Sequence, residues 1–379
     1  MSLNLAAAAA EIGIREEQAE AVLALLDAGN TVPFIARYRK DMTGNLDDQT
    51  LRVLERKIHS LKQLESRREE ILHLLEEQGI KNQKLFAQIK EADSLTRLDD
   101  LYRPYRPKRV TRASKARKAG LLPAALLLKD PQASYRAFIQ AVDKSPDSED
   151  FAGREAKIRG AEDILAESLS DSPAVRSRMR RRLREEAVLT SEAKTKGESV
   201  YANYADFSQD FKTLKGYQVL AINRGEREGK LRVKLNDQSG SLARELEGFF
   251  HRMPDKQPLI AELCEDSWKR LLKPSLENEL RSEKTEAAHE EAMRIFEDNL
   301  RSALLAPPLR GKTVLALDPG FRNGCKLAVC SPQGDVLAVD TIYPLPPQNN
   351  IEDAAGTVER LILDYGVDMT LSSRRDETV

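Results

Sequence analysis

The chain has 379 residues, of which 32% are charged and only 5% aromatic, with 60 basic against 61 acidic side chains. That length accommodates two or three domains each able to bury a core, and the wealth of Leu, Ala, Glu, Lys and Arg points to a helix-rich class. Balanced charge excludes a global field for polyanions, so any attraction to nucleic acid has to come from local clustering. Cys264, Cys325 and Cys330 are too few for a disulfide framework and fit a reducing cytoplasm. No apolar run reaches the ~20 residues that span a bilayer, and the alanine run at 6–10 lacks a basic leader. Neither export nor membrane attachment is expected.

Residues 5–28 place apolar clusters at helical spacing and predict two helices, the second closed by Gly29-Asn30. Phe34-Ile35-Ala36-Arg37-Tyr38-Arg39-Lys40 follows as an aromatic and basic segment. From Leu51, apolar residues at 51, 54, 58, 61, 72 and 75 predict one long amphipathic helix whose heptad-like seam is interrupted by Glu65 and Arg68. The interruption favours packing on neighbouring helices over an intermolecular coiled coil.

Tyr102-Arg103-Pro104-Tyr105-Arg106-Pro107-Lys108-Arg109-Val110-Thr111-Arg112 carries two prolines three positions apart, which bar it from a helix interior. It is predicted as an extended basic loop. From Arg103 to Lys118 there are eight Lys or Arg and no acid in sixteen residues. Cations interleaved with tyrosines on a stiff stretch suit a strip that tracks phosphates. The candidate nucleic-acid-binding residues are therefore Tyr102, Arg103, Tyr105, Arg106, Lys108, Arg109 and Arg112, with the tyrosines stacking or packing beside the cations.

Apolar helix resumes at 121–128, and 130–148, with Pro131 and Pro146, is predicted as a polar connection. Helical periodicity returns at 151–187, where Arg176, Arg178, Arg180, Arg181, Arg182 and Arg184 put six arginines in nine positions. They wrap most of the helix, so at least half face solvent. Either Glu167, Glu185 and Glu186 pair with some of them, or they contact phosphate. Alternation at 217–223 and 230–235 around Gly225 and Gly229 predicts a β-hairpin. Residues 266–305 read as one or two long helices ended by Pro307-Pro308, with a domain boundary near 310.

GKTVLALDPGFRNGCKLAVCSPQGDVLAVDTIYP, at 311–344, reads as a three-strand meander with Asp318 ending the first strand, the opening of an α/β ribonuclease H-like fold. Gly311-Lys312-Thr313 is not a phosphate loop, because position 306 is Ala and a strand follows. His59, His73, His251 and His289 show no ligand spacing, and no cofactor or metal is expected. A strand-end carboxylate in such a sheet can bridge two metal ions, which makes Asp318 the catalytic candidate, with Asp335 and Asp340 the nearby acids. The competing reading is structural, with Asp318 holding the Gly320 turn.

TVPFIARYRKDMTGNLDD at 31–48, LDDLYRPYRPKRVTR at 98–112, and LALDPGFRNGCKLAVC at 315–330 with DTIYP at 340–344 closely resemble the Tex family of bacterial transcription accessory proteins. The resemblance implies a mainly α fold: a multi-helix N-terminal region, helix-turn-helix-like, at 1–200; a central region with a small β-hairpin and long helices at 201–310; and a truncated, resolvase-type ribonuclease H-like domain at 311–379. It also implies a helix-hairpin-helix module and an S1 domain, absent here, the latter expected to carry most single-strand binding. After Val367 a fourth apolar strand would be expected, but the sequence turns polar, which predicts an unpaired sheet edge and a poorly packed final dozen residues. Three functions follow as expectations: a non-catalytic, RNA- and/or DNA-binding transcription accessory protein in N-terminal fragment form; a metal-dependent resolvase-like nuclease centred on Asp318; or a scaffold docking on RNA polymerase or the ribosome.

Overall fold

Asn4 accepts the Ala7 amide at 3.2 Å and opens the first helix, as short polar caps do for orphan donors. A computed structural model describes residues 4–194, 200–237, 240–251, 253–306, 311–320, 323–346 and 348–372. They divide into two units, Met1–Ala292 and Met293–Val379.

The first unit begins with α1 (Leu5–Ile12), α2 (Glu16–Asp27), α3 (Val32–Tyr38), α4 (Lys40–Thr43) and the long α5 (Asp48–Glu77). The segment expected only as aromatic and basic is thus the helix α3, with Pro33 in its first turn. Val22, Ile35, Leu51, Leu54 and Ile58 close one core around the first half of α5. Its second half packs on α6 (Gln83–Glu91) and α7 (Leu95–Tyr102) through Ile71, Leu75, Ile89 and Leu98. Ile71 rather than Leu72 takes the fully buried place. Arg68, read as a break in the seam, pairs with Glu65 and donates to the carbonyls of Ile89 at 3.2 Å and Ala92 at 2.8 Å. It adds a donor at the end of α6, where Ile89 O also accepts the Ala92 amide at 3.3 Å.

After a 3₁₀ turn at Arg103–Tyr105 come α8 (Arg112–Lys118), α9 (Leu122–Lys129), α10 (Tyr135–Lys144), α11 (Arg154–Asp171) and α12 (Pro173–Glu186). The expected polar connection at 130–148 therefore contains a helix. Ser134 caps it by accepting the Ala137 amide at 3.2 Å, and Phe138 and Val142, four apart, are buried against Leu121 and Ile164.

Strand β1 (Ala187–Ala193) is the centre of an antiparallel sheet flanked by β2 (Asp206–Asp210) and β3 (Leu231–Asp237). The expected hairpin is corrected here: 231–237 is a strand, but its expected partner is the helix α13 (Gly216–Arg227). Val219, Ile222 and Gly225 form its buried face at helical spacing. Gly225 is a packing glycine, not a turn, because a Cβ there would meet Leu231 Cδ1 at 2.6 Å.

Then come α14 (Leu242–Glu245), a 3₁₀ turn at Leu246–Phe249, α15 (Gln257–Asp266), a π-helical stretch at Ser267–Leu272 and α16 (Lys273–Leu304). The last three are continuous, and Trp268, Leu272 and Leu276 on this rod close a core with Met179, Leu183, Leu189 and Ile222. Pro307-Pro308, expected to end it, lie outside the described residues.

In the second unit, β4 (Val314–Asp318), β5 (Cys325–Cys330) and β6 (Val336–Ile342) form the expected meander, followed by α17 (Ile351–Tyr365) and β7 (Met369–Ser372). The order is β6-β5-β4-β7, with β7 parallel to β4. The expectation of an unpaired β4 edge is thereby overturned: the helix returns the chain so that Met369 to Ser372 pair with Val314 to Leu317. Residues 373–379 lie outside the described residues. Leu315, Leu327, Val329, Ala354 and Leu361 make the core between α17 and one face of the sheet. Cys325 is buried there and Cys264 is buried in the first unit, whereas Cys330 is half-buried. The molecule is mainly α with small sheets.

Candidate nucleic-acid interface

Thr111 and Ser114 cap α8 reciprocally, each side chain accepting the other's amide at 2.8 and 3.0 Å. This fixes the start of the helix and turns the preceding basic stretch across α11. A cleft of about 750 Å³ results, with Arg106, Lys108, Arg109, Arg117, Lys118 and Lys129 among its lining cations. Its size lies within the ~300–1,000 Å³ usual for ligand clefts. Arg106, Arg109, Lys118 and Lys129 are exposed and have no carboxylate within 4.0 Å among the described residues.

The other cations are partly answered. Lys108 pairs with Asp171 and stands 3.6 Å from Glu167, and Arg117 meets Glu167 at 2.6 Å. Burial pushes the Asp171 carboxyl above its usual value despite Lys108. Burial also pushes Glu167 up, but Arg117, Thr111 and Lys108 outweigh it and leave that group below the usual carboxylate range. The cleft therefore has cations at its rim and two ionic acids among its lining residues.

The expected strip is not uniformly extended. Arg103-Pro104-Tyr105 is a 3₁₀ turn and Arg112 already belongs to α8. Tyr102 is 4% exposed, packed with Ile71 and Leu98, so its ring holds the core and is not open for stacking. Tyr105 is half-buried on the same core. Arg103 is half-buried, 3.5 Å from Asp171 and 3.4 Å from the Ser275 hydroxyl. Burial and the neighbouring Arg176 lower its pKa. Arg112 is exposed but outside the cleft lining, and its charge acts on Asp163. Of the seven candidates, the cleft gathers Arg106, Lys108 and Arg109.

Sequence reasoning missed Lys129, Phe249 and Phe250, which also line the cleft. The sequence carries no local signal for the phenylalanines, since more than a hundred residues separate them from the strip.

On the arginine-rich helix the expected pairing with a nearby acid holds, among the described residues, for Glu186 alone of the three acids named, and the other ionic partners come from distant parts of the chain. Arg176 and Arg180 are buried on Asp100 and Glu279, far away in sequence. Arg178 and Arg182 pair with Glu245, Arg182 also pairs with the expected Glu186, and Arg184 pairs with Glu283.

Asp318 ends β4 as expected, paired in register with Lys326. Asp340, the suggested companion, binds Arg360 of α17 at 3.1 Å and so lies on the helix side of the sheet. Strand alternation puts Asp318 on the opposite face, because Leu315 and Leu317 face the α17 core. Asp335 lies past the far end of β5, beyond Cys330, while Asp318 sits at the Lys326 end. Neither acid joins Asp318 in a metal site. Among the described residues no group of three His, Cys, Asp or Glu is placed to hold an ion.

A helical body carrying a cationic cleft, followed by a meander, crossover helix and parallel fourth strand, defines a helix-rich protein with a ribonuclease H-like domain. Family models match in order: the Tex-like protein N-terminal domain at 3–76, the Tex central region-like segment at 128–296, and the Tex protein YqgF-like domain at 312–371. The chain belongs to the Tex family. It is 38% identical over 368 residues to the uncharacterized protein YdcI of Bacillus subtilis, covering 95% of this chain and 51% of that protein. It is 36% identical over 386 residues to protein tex of Bordetella pertussis, covering 96% and 48%. It is 35% identical over 370 residues to the transcriptional accessory protein Tex of Neisseria gonorrhoeae, covering 94% and 48%. The chain thus spans about half the length of the curated relatives it matches. No described helix is long and apolar enough to cross a membrane.

Proposed function

We propose that this chain is a non-catalytic nucleic-acid-binding accessory protein of transcription, acting in the cytoplasm, and that the cleft beside α8 is its contact with the phosphate backbone. The observation that carries this reading is the set of exposed cations, Arg106, Arg109, Lys118 and Lys129, around one concavity with no carboxylate within 4.0 Å among the described residues. Unanswered cations can release counterions from a polyanion on contact, which is the main source of sequence-independent affinity. The likeness to the transcriptional accessory protein Tex of Neisseria gonorrhoeae supports the link to transcription. As part of the same reading, the helical region 1–200, the central region 201–310 and the ribonuclease H-like domain 311–379 act as the three working parts, with RNA and/or DNA as partner. The opposite-face placement of Asp318 and Asp340 favours the non-catalytic form of the proposal.

The test is binding of single-stranded RNA and DNA measured across a salt series, with the chain compared to a variant carrying Arg106→Gln, Arg109→Gln and Lys118→Gln. Each lost phosphate contact is expected to reduce the slope of log affinity against log salt by ~0.7. An unchanged slope removes the cleft from the interface.

A further inference from the structure

The charge layout of the cleft sorts the parts of a nucleotide. Arg106, Arg109 and Lys118 are exposed, which puts them at the rim, and have no carboxylate within 4.0 Å among the described residues, whereas the less exposed Glu167 and Asp171 line the same cavity and already neutralise Lys108 and Arg117. A phosphate moving inward would meet two carboxylates, so the anionic part of a ligand is held at the rim. Leu165, Val175, Phe249 and Phe250 supply apolar and aromatic lining, beside the hydroxyl-bearing Thr111, Ser114, Ser168 and Ser172 and the cation Lys129. Phe249 and Phe250 are half-buried, and the Arg178 guanidinium lies 5.6 Å from the Phe249 ring centroid. Arg178 is itself tied to Glu245 at 2.6 Å, so the ring has a fixed neighbour.

The geometry points to a nucleotide subsite in which an unpaired base enters the cleft over Phe249 and Phe250 while its phosphate stays on Arg106, Arg109 and Lys118. This assigns the aromatic contact to the 3₁₀ turn after α14 and its next residue, in place of the buried Tyr102. A duplex keeps its bases stacked on one another and offers no free base face, so the subsite takes unpaired strands. The inference rests on the cleft being the polyanion contact proposed above, and its test separates the two.

The measurement is fluorescence anisotropy of the unaltered chain with a labelled single-stranded oligonucleotide and an abasic strand of equal length and charge. Stacking makes the abasic strand bind roughly tenfold more weakly. Phe249→Leu is expected to bring the two strands together without changing the salt slope, and Phe249→Tyr, which keeps a flat ring, to preserve the difference. Equal binding of both strands to the unaltered chain overturns the subsite, even if a melting curve shows that Phe249→Leu has lost its fold. In that outcome the phosphate reading survives if Arg106→Gln and Arg109→Gln still flatten the slope. Absence of binding by either strand overturns both.

Discussion

Arg176 and Asp100 meet at 2.7 Å with side chains only 2% and 5% exposed, joining α12 to α7. Arg180 reaches the same carboxylate at 2.9 Å, and Glu279 of α16 meets Arg176 at 3.0 Å. Ions so enclosed depend chiefly on each other, with the Ser275 hydroxyl 3.3 Å from Arg176, and removing one strands the rest. Asp100→Ala is therefore expected to cost ~3–5 kcal/mol, whereas Arg181→Ala, exposed on the same arginine-rich helix, changes stability by no more than ~0.5 kcal/mol. Urea unfolding followed by far-ultraviolet circular dichroism checks both. A mild effect of Asp100→Ala would mean that water or rearrangement relieves the two arginines.

That network shows what a single sequence can and cannot disclose. Periodicity says that half of six arginines must face out, and Arg178, Arg181 and Arg184 do. Which arginines turn inward depends on Asp100, 76 positions from Arg176, a distance no local pattern encodes. The meander at 314–342 was legible because strand alternation and the Gly334 turn are local. The helix α13 was misread because Gly225, taken for a turn, is required by the close approach of Leu231. Half of the cleft could be read, since five of its cations lie between residues 106 and 118, while Lys129, Phe249 and Phe250 arrive by tertiary packing.

Lys108 and Arg109 are neighbours in sequence but differ in what they can offer a polyanion. Asp171 and Glu167 already answer the ammonium, while the Arg109 guanidinium has no carboxylate within 4.0 Å among the described residues. Arg109→Gln should reduce the salt slope by ~0.7, and Lys108→Gln by less. Parallel salt titrations of the two single variants decide the matter, and equal reductions would show that the ligand displaces the acids from Lys108.

Asp255 and Lys256 hold the connection between α9 and α10 from both ends. The fully buried Lys256 ammonium donates to the carbonyls of Leu127, Asp130 and Ala133 at 3.1, 2.5 and 2.8 Å, and Asp255 accepts the Tyr135 amide at 2.8 Å. The cation complements the C-terminal end of α9, and the anion the N-terminal end of α10. Lys256→Met is expected to cost about 3 kcal/mol by leaving these acceptors without a donor. Lys256→Arg is expected to be costly too, because a planar fork does not fit a site closed around a compact ammonium. Urea midpoints and faster amide exchange in residues 135–138 report the loss.

Gly324 opens β5 with φ +79°, and a Cβ there would lie 2.6 Å from Tyr343 Cε1 and 2.7 Å from Thr341 Cγ2. Both the backbone conformation and the space therefore demand glycine. Gly324→Ala should cost ~1–3 kcal/mol in the second unit, read as a lowered melting transition, with binding at the cleft in the first unit unchanged.

Glu162 on α11 supplies the pH dependence. Burial, reinforced by Glu262 and Asp163 and then opposed by Arg159, pushes its carboxyl from 4.5 to about 7, with Asp266 adding to the rise. Its Oε1 is buried without a hydrogen-bond partner among the described residues. Arg270 does not relieve it, being engaged by Asp163 and Asp266. The folded state thus holds the proton more tightly than the unfolded chain. This group's stabilising effect is complete below 4.5, fades as pH rises towards 7 and is gone above that. Between about pH 5 and about pH 7 the urea midpoint should fall with rising pH, and Glu162→Gln, which cannot ionise, should remove that part of the slope and raise the midpoint at about pH 8. If Glu162→Gln leaves the slope as it was, the carboxylate is already ionised at neutral pH, and the charge packed between α11 and α15 is met by solvent.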